Sequence, residues 1–98
     1  MSNNSIDAFD DFNNLNSTEK QTLLNWCNKL EKIKSINEKH TSYSLKHFFE
    51  KSEDGFYISN GQFKGAMLEC GFTHQEIPDS PNWQFNVSEK SIASLINA

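Results

Sequence analysis

The chain contains no arginine; its nine basic residues are all lysine. Arginine forks onto guanine edges and phosphates, so its absence removes the commonest contact of a sequence-specific DNA reader. Cysteine is scarce as well. Cys27 and Cys70 stand far apart in no Cys-x-x-Cys pattern, which excludes a disulfide-stapled scaffold. They read as two reduced thiols of an intracellular protein, with a single disulfide as the alternative. No apolar run approaches the roughly 20 residues of a membrane span, and MSNNSID lacks the basic and apolar regions of a secretion signal. A soluble, cytoplasmic protein without membrane association is therefore expected. Also missing are Gly-x-Ser-x-Gly, a phosphate-binding glycine loop and carboxylates paired around a pocket, so no catalytic residue can be named. His40, His47 and His74 have no zinc spacing with the cysteines, and Cys70 and His74 straddle Gly71. Neither a metal site, a bound cofactor nor a Cys–His nucleophile is expected.

What is present suffices for one small core: 98 residues, 36% hydrophobic, with eight phenylalanines. Thirteen acids against nine lysines give a net charge of −4, unevenly spread. Residues 1–19 carry four acids and no lysine, residues 20–54 seven lysines and five acids, residues 55–98 two lysines and four acids. A polyanion would have to dock on the middle third, and weakly.

Residues 1–15 form an acidic N-terminal segment. After a terminus expected to fray at MSNNS, Ile6, Phe9, Phe12 and Leu15 recur three apart with Asp7, Asp10 and Asp11 between them. Two uses fit that spacing. One is a turn or two of helix lying on the core. The other is an acidic-aromatic docking segment offering Asp7, Phe9, Asp10, Asp11 and Phe12 to a partner's basic, apolar groove.

Residues 16–98 read as a single domain. Asn16 and Glu19 make a capping box, and the stripe Leu23, Cys27, Leu30, Ile33, with Trp26 alongside, carries a long helix to about Ile36. Thr41 or Ser42 caps a second helix with Leu45, Phe48 and Phe49 inward, ended by Glu53-Asp54-Gly55. FYIS, residues 56–59, reads as a short strand. Ser59-Asn60-Gly61-Gln62 fits either a tight hairpin or a capping box. The box explains more: Ile58 and Phe63 form a hydrophobic staple, Phe63, Ala66, Met67 and Cys70 fall on one helical face, and Gly71 sits at a left-handed C-cap. Trp83, Phe85 and Val87 alternate as a strand, and the turn Pro78–Asn82 returns a strand over about 72–77 onto it. Asn86 is expected to bond loop backbone or to help cap the last helix, which Ser88 starts.

That order predicts a mainly helical α+β domain resembling a winged helix-turn-helix, with a two-stranded wing and an N-terminal helical extension. The helix over 60–70 takes the place of the recognition helix, its solvent face expected to show Asn60, Gly61, Gln62, Lys64, Gly65 and Glu69. Asn and Gln suit adenine edges, and glycine admits close backbone approach. One lysine against one glutamate on that face supplies almost no electrostatic pull.

The runs His40–His47, Gly55–Met67, Cys-Gly-Phe at 70–72 and Pro81–Ser88 resemble a group of short accessory proteins carried by bacterial plasmids, integrative elements and phages. The resemblance covers about residues 39–92. It implies a mobile-element accessory gene in a bacterium and brings no catalytic residues.

Two function classes follow. One is a protein-directed inhibitor, such as an anti-CRISPR-type anti-defence protein, whose acidic surface occupies a site built for nucleic acid. The other is a winged-helix DNA-associated factor in replication or transcription of a mobile element. The negative charge and missing arginine favour the first; the element order favours the second. In either case the contact residues are Asn60, Gln62, Lys64 and Glu69, with Asp7, Phe9, Asp10, Asp11 and Phe12.

Overall fold

Four side-chain caps set where the helices begin. In the computed structural model, which describes residues 7–97, Asn16 Oδ1 accepts from the Glu19 amide at 2.8 Å and Glu19 Oε1 accepts from the Asn16 amide at 2.9 Å. That box opens α1 (Ser17–Cys27), which buries Leu23, Trp26 and Cys27. Thr41 and Ser44 form a second box at α2 (Ser42–Lys51), and Ser59 and Gln62 a third at α3 (Asn60–Glu69). Ser88 accepts from the Ser91 amide at 3.1 Å to start α4 (Glu89–Ile96). Each cap satisfies an amide that a helix start leaves without an internal partner. The expected fraying of MSNNS and the place of Ile6 lie outside the described residues.

The long first helix expected to reach Ile36 stops at Cys27. Lys29 and Leu30 donate back to Trp26 and Cys27 in a closing turn (both 3.1 Å), Leu30 drops into the core, and the chain extends as β1 (Lys32–Asn37). The helical spacing of Leu30 and Ile33 is overridden by strand pairing. Lys32 lies opposite Val87 and Asn37 opposite Phe85, with a register irregularity between, and Ile33 is left 41% exposed.

The strand expected at 56–59 does not form. The Ile58 amide donates instead to the Glu50 carboxylate at 3.1 Å, and Phe56 packs edge-on against Phe49. Beyond it, Ile58 and Phe63 are both fully buried at the start of α3. At the other end Gly71 has φ +87°, Phe72 donates to Met67 at 3.1 Å and Gly71 to Leu68 at 2.9 Å, the paired bonds of a Schellman cap.

The hairpin expected over 72–87 forms as β2 (His74–Glu76) and β3 (Trp83–Val87), with Gln75 opposite Gln84. It is not a free two-stranded ribbon. β1 pairs on the other side of β3, so the sheet is antiparallel, three-stranded and ordered β1-β3-β2. Asn86, on the central strand, does bond loop backbone at Thr73, whose amide its Oδ1 accepts from at 2.8 Å, while its Nδ2 donates to the Ile33 carbonyl of β1 at 3.0 Å. Leu23, Leu45, Phe49, Ile58, Phe63, Met67, Phe85 and Ile92 fill the space between sheet and helices, with Trp26 edge-on to Phe49 and Phe63.

Candidate interaction surface

The two groups of residues singled out in the sequence meet each other. Residues Phe9–Asn14 form a short 3₁₀ helix that lies along α3 with Phe12 and Leu15 buried, as the reading of a helical turn or two on the core expects. Asn60, Gly61, Lys64 and Gly65, expected on a solvent face, are buried, with Asn60 and Lys64 bonded to Asp7 and Gly65 against Phe9 and Phe12. Gln62 is half-buried, its Oε1 accepting from the Ser59 amide at 2.9 Å, and Glu69 is exposed. The physical reason is the glycine that had suggested close approach to DNA. A Cβ on Gly65 would run into Phe12 Cβ and the Phe9 carbonyl, so the bare α-carbon is what lets this segment of the chain lie against the helix.

Polar contacts follow the same line. Asp11 Oδ2 accepts from Ser59 Oγ at 2.6 Å, which brings a carboxylate to the N-terminal end of α3, where a helix favours negative charge. Asn60 Nδ2 donates to Asp7 Oδ1 (3.1 Å), Asn82 Oδ1 (3.0 Å) and the Pro81 carbonyl (3.4 Å), binding the acidic segment, α3 and the β2–β3 loop into one unit. Asn60 Oδ1 is buried and finds no hydrogen-bond partner among the described residues. Lys64, only 4% exposed, donates from Nζ to the Asp7 carbonyl at 2.8 Å and sits 4.8 Å above the Trp83 ring. Burial strips water from its ammonium and lowers its pKa, outweighing the pull of the Asp7 and Glu76 carboxylates.

Phe9 and Asp10 stay on the outside. Phe9 is 51% exposed, its ring 6.0 Å from Trp83; His74 stacks on the same indole at 3.7 Å and 16°. Glu76 and Asp79, with Lys64 and Trp83, line a shallow depression of about 490 Å³. His74, Glu76 and Asp79 were not singled out as contact residues from the sequence. The signal was the two-residue alternation of β2, which places His74 and Glu76 on one side of the strand.

Elsewhere several polar groups are engaged in structure. Lys46, almost fully buried, bonds Glu50 at 2.9 Å and lies between the Tyr43 and Tyr57 rings at 5.2 and 5.1 Å. Burial tends to raise the Glu50 pKa, but the bonds from Lys46 and the Ile58 amide, with the Lys46 and His47 charges, hold it below its ordinary value. His40 pairs with Glu89 and His47 with Glu50. Both cysteines are free thiols, and burial pushes Cys27 well up. Among the described residues no three His, Cys, Asp or Glu side chains are grouped to hold a metal ion, and no helix is long and apolar enough to cross a membrane. No family model, curated protein or solved structure matches the chain.

Proposed function

We propose that the chain is a non-enzymatic accessory protein of a bacterial phage or other mobile element that acts in the cytoplasm by binding another protein. The sequence resemblance supplies the mobile-element setting. Its partner in this reading is a nucleic-acid-handling enzyme of the host or element, inhibited in the manner of an anti-CRISPR or related anti-defence protein. The observation that carries this reading is the acidic segment lying across α3. Lys64, the one lysine that helix could offer a phosphate, is buried and bonded to the Asp7 carbonyl. A helix whose polar face is occupied by its own chain, in a protein of charge −4 without arginine, has little with which to attract a phosphate backbone.

A second reading is favoured by the topology. The order α1-β1-α2-α3-β2-β3, with the sheet ordered β1-β3-β2, is compatible with a winged helix, in which α3 would enter a DNA groove. Fold alone does not assign function. A mobility-shift titration of the full chain against single- and double-stranded DNA at low salt separates the two. The protein-directed reading expects no complex below about 100 µM, already weak for non-specific contact. A complex forming well below that concentration would overturn it.

A further inference from the structure

We infer that the surface around Trp83, where the acidic segment meets the β2–β3 hairpin, docks a basic polypeptide segment that presents a guanidinium or ammonium group beside an apolar side chain. The inference rests on the protein-directed reading above and names the chemistry of that partner. Its foundation is an aromatic row assembled from the acidic segment and the β2–β3 hairpin: Phe9, Trp83 and His74, in contact in that order. Phe9 spends half of its surface on water although the indole beside it is buried. Exposed aromatic edges next to a buried one are the kind of anchor on which interface energy concentrates.

Charge selects the occupant. Glu76 and Asp79 are exposed beside the row, and Asp10 is exposed next to Phe9. The one base lining the depression, Lys64, is buried and committed to Asp7. The Trp83 indole already carries His74 and Lys64, so the face offers a cation its carboxylates and the open ring of Phe9, and it repels phosphate. A guanidinium can stack on an aromatic ring while its edge bonds a carboxylate in two-pronged fashion, which an ammonium does less well. An arginine-bearing strand or helix of a nucleic-acid-binding enzyme has this chemistry.

The surface is also preorganised. Asn60 bonds Asp7 on one side and Asn82 and Pro81 on the other, so the Phe9 and Trp83 ends are held in register before any partner arrives. Little conformational freedom remains to be lost on binding.

The test is an amide-resonance titration of the full chain with a synthetic peptide carrying three arginines flanked by leucines, against an acidic peptide of equal length. Shifts are expected to cluster at residues 9–10 and 74–83 with the arginine peptide alone. The double substitution Glu76→Lys, Asp79→Lys, at two exposed positions, is expected to weaken binding about tenfold or more. Phe9→Ala is expected to weaken it independently. Shifts spread evenly over remote carboxylates such as Glu53, Asp54 and Glu69, or unchanged affinity in both variants, would overturn this surface. A peptide that binds tightly elsewhere removes the surface and leaves the protein-directed reading standing, whereas DNA binding in the separate titration removes that reading itself.

Discussion

Gly65 of α3 and Phe12 of the 3₁₀ turn touch with no room for a side chain between them: a Cβ on Gly65 would collide with Phe12 Cβ and stand 3.1 Å from Phe12 Cγ. The Phe9 carbonyl closes the space from the backbone side, so a shift of one flexible side chain cannot relieve the crowding.

Gly65→Ala tests that contact. Alanine gains about 1 kcal/mol of helix propensity over glycine, but overpacking a filled site typically costs about 1–3 kcal/mol, and here backbone must move as well. A net loss of about 1–2 kcal/mol is expected in urea unfolding, with resonances of residues 7–14 moving most. A variant as stable as the parent, with those resonances unmoved, would show that the segment does not depend on the bare α-carbon.

The Lys46–Glu50 pair predicts a pH dependence whose sign can be worked out. The Glu50 pKa is lower in the folded chain than in the unfolded one. Its ionised form therefore contributes stability that is fully present above the unfolded carboxyl range, roughly pH 4–5, and is lost as pH falls through the folded value. Glu50→Gln should cost about 1–3 kcal/mol at pH 7, because Lys46 is left buried without its counter-charge. The same variant should lose less than the parent between pH 6 and pH 3. Parallel losses across that interval would mean that Glu50 is not a source of the acid sensitivity.

Asn86 holds two strand edges with one side chain, accepting from Thr73 and donating to Ile33. Asn86→Ala leaves an amide and a carbonyl unpaired and should cost about 2–3 kcal/mol. Asn86→Asp keeps the acceptor but faces the Ile33 carbonyl with an oxygen, so it should not restore stability. Hydrogen exchange offers the local check: the Thr73 amide should exchange faster in the alanine variant, and unchanged protection would refute the role.

Much of the frame was legible because its signals are local. Ser59 with Gln62, and Asn16 with Glu19, specify helix starts through contacts three residues apart, and both boxes form. Trp83, Phe85 and Val87 alternate as a strand does, and all three are buried. β1 was not legible, because Lys32, Lys34 and Ser35 carry no strand signal and Leu30 and Ile33 continue a helical stripe. What makes it a strand is a partner some fifty residues away. The 56–59 run failed in the opposite sense: its composition suits a strand, yet the Ile58 amide is taken by Glu50.

That the residues read as contacts would bond one another was not legible in the sequence. Polar and glycine residues on an amphipathic helix read as solvent-facing unless something covers them, and the cover here is an acidic stretch that itself read as a docking segment. Neither half announces the other. The closeness of Gly65 to Phe12 exists only once both are placed.

The hub at Asn60 has a consequence in time. Its partners lie 53 residues upstream, at Asp7, and 21 and 22 residues downstream, at Pro81 and Asn82. Contacts that distant in the chain close late, after local helices and turns have formed. As the polypeptide is made from its N-terminus, the acidic segment emerges before α3, yet the Asn60 hub that holds it is complete only when residue 82 has been added. Phe12 and Asp11 can find Gly65 and Ser59 once α3 has been made, whereas the Asn60 hub closes only with the β2–β3 loop.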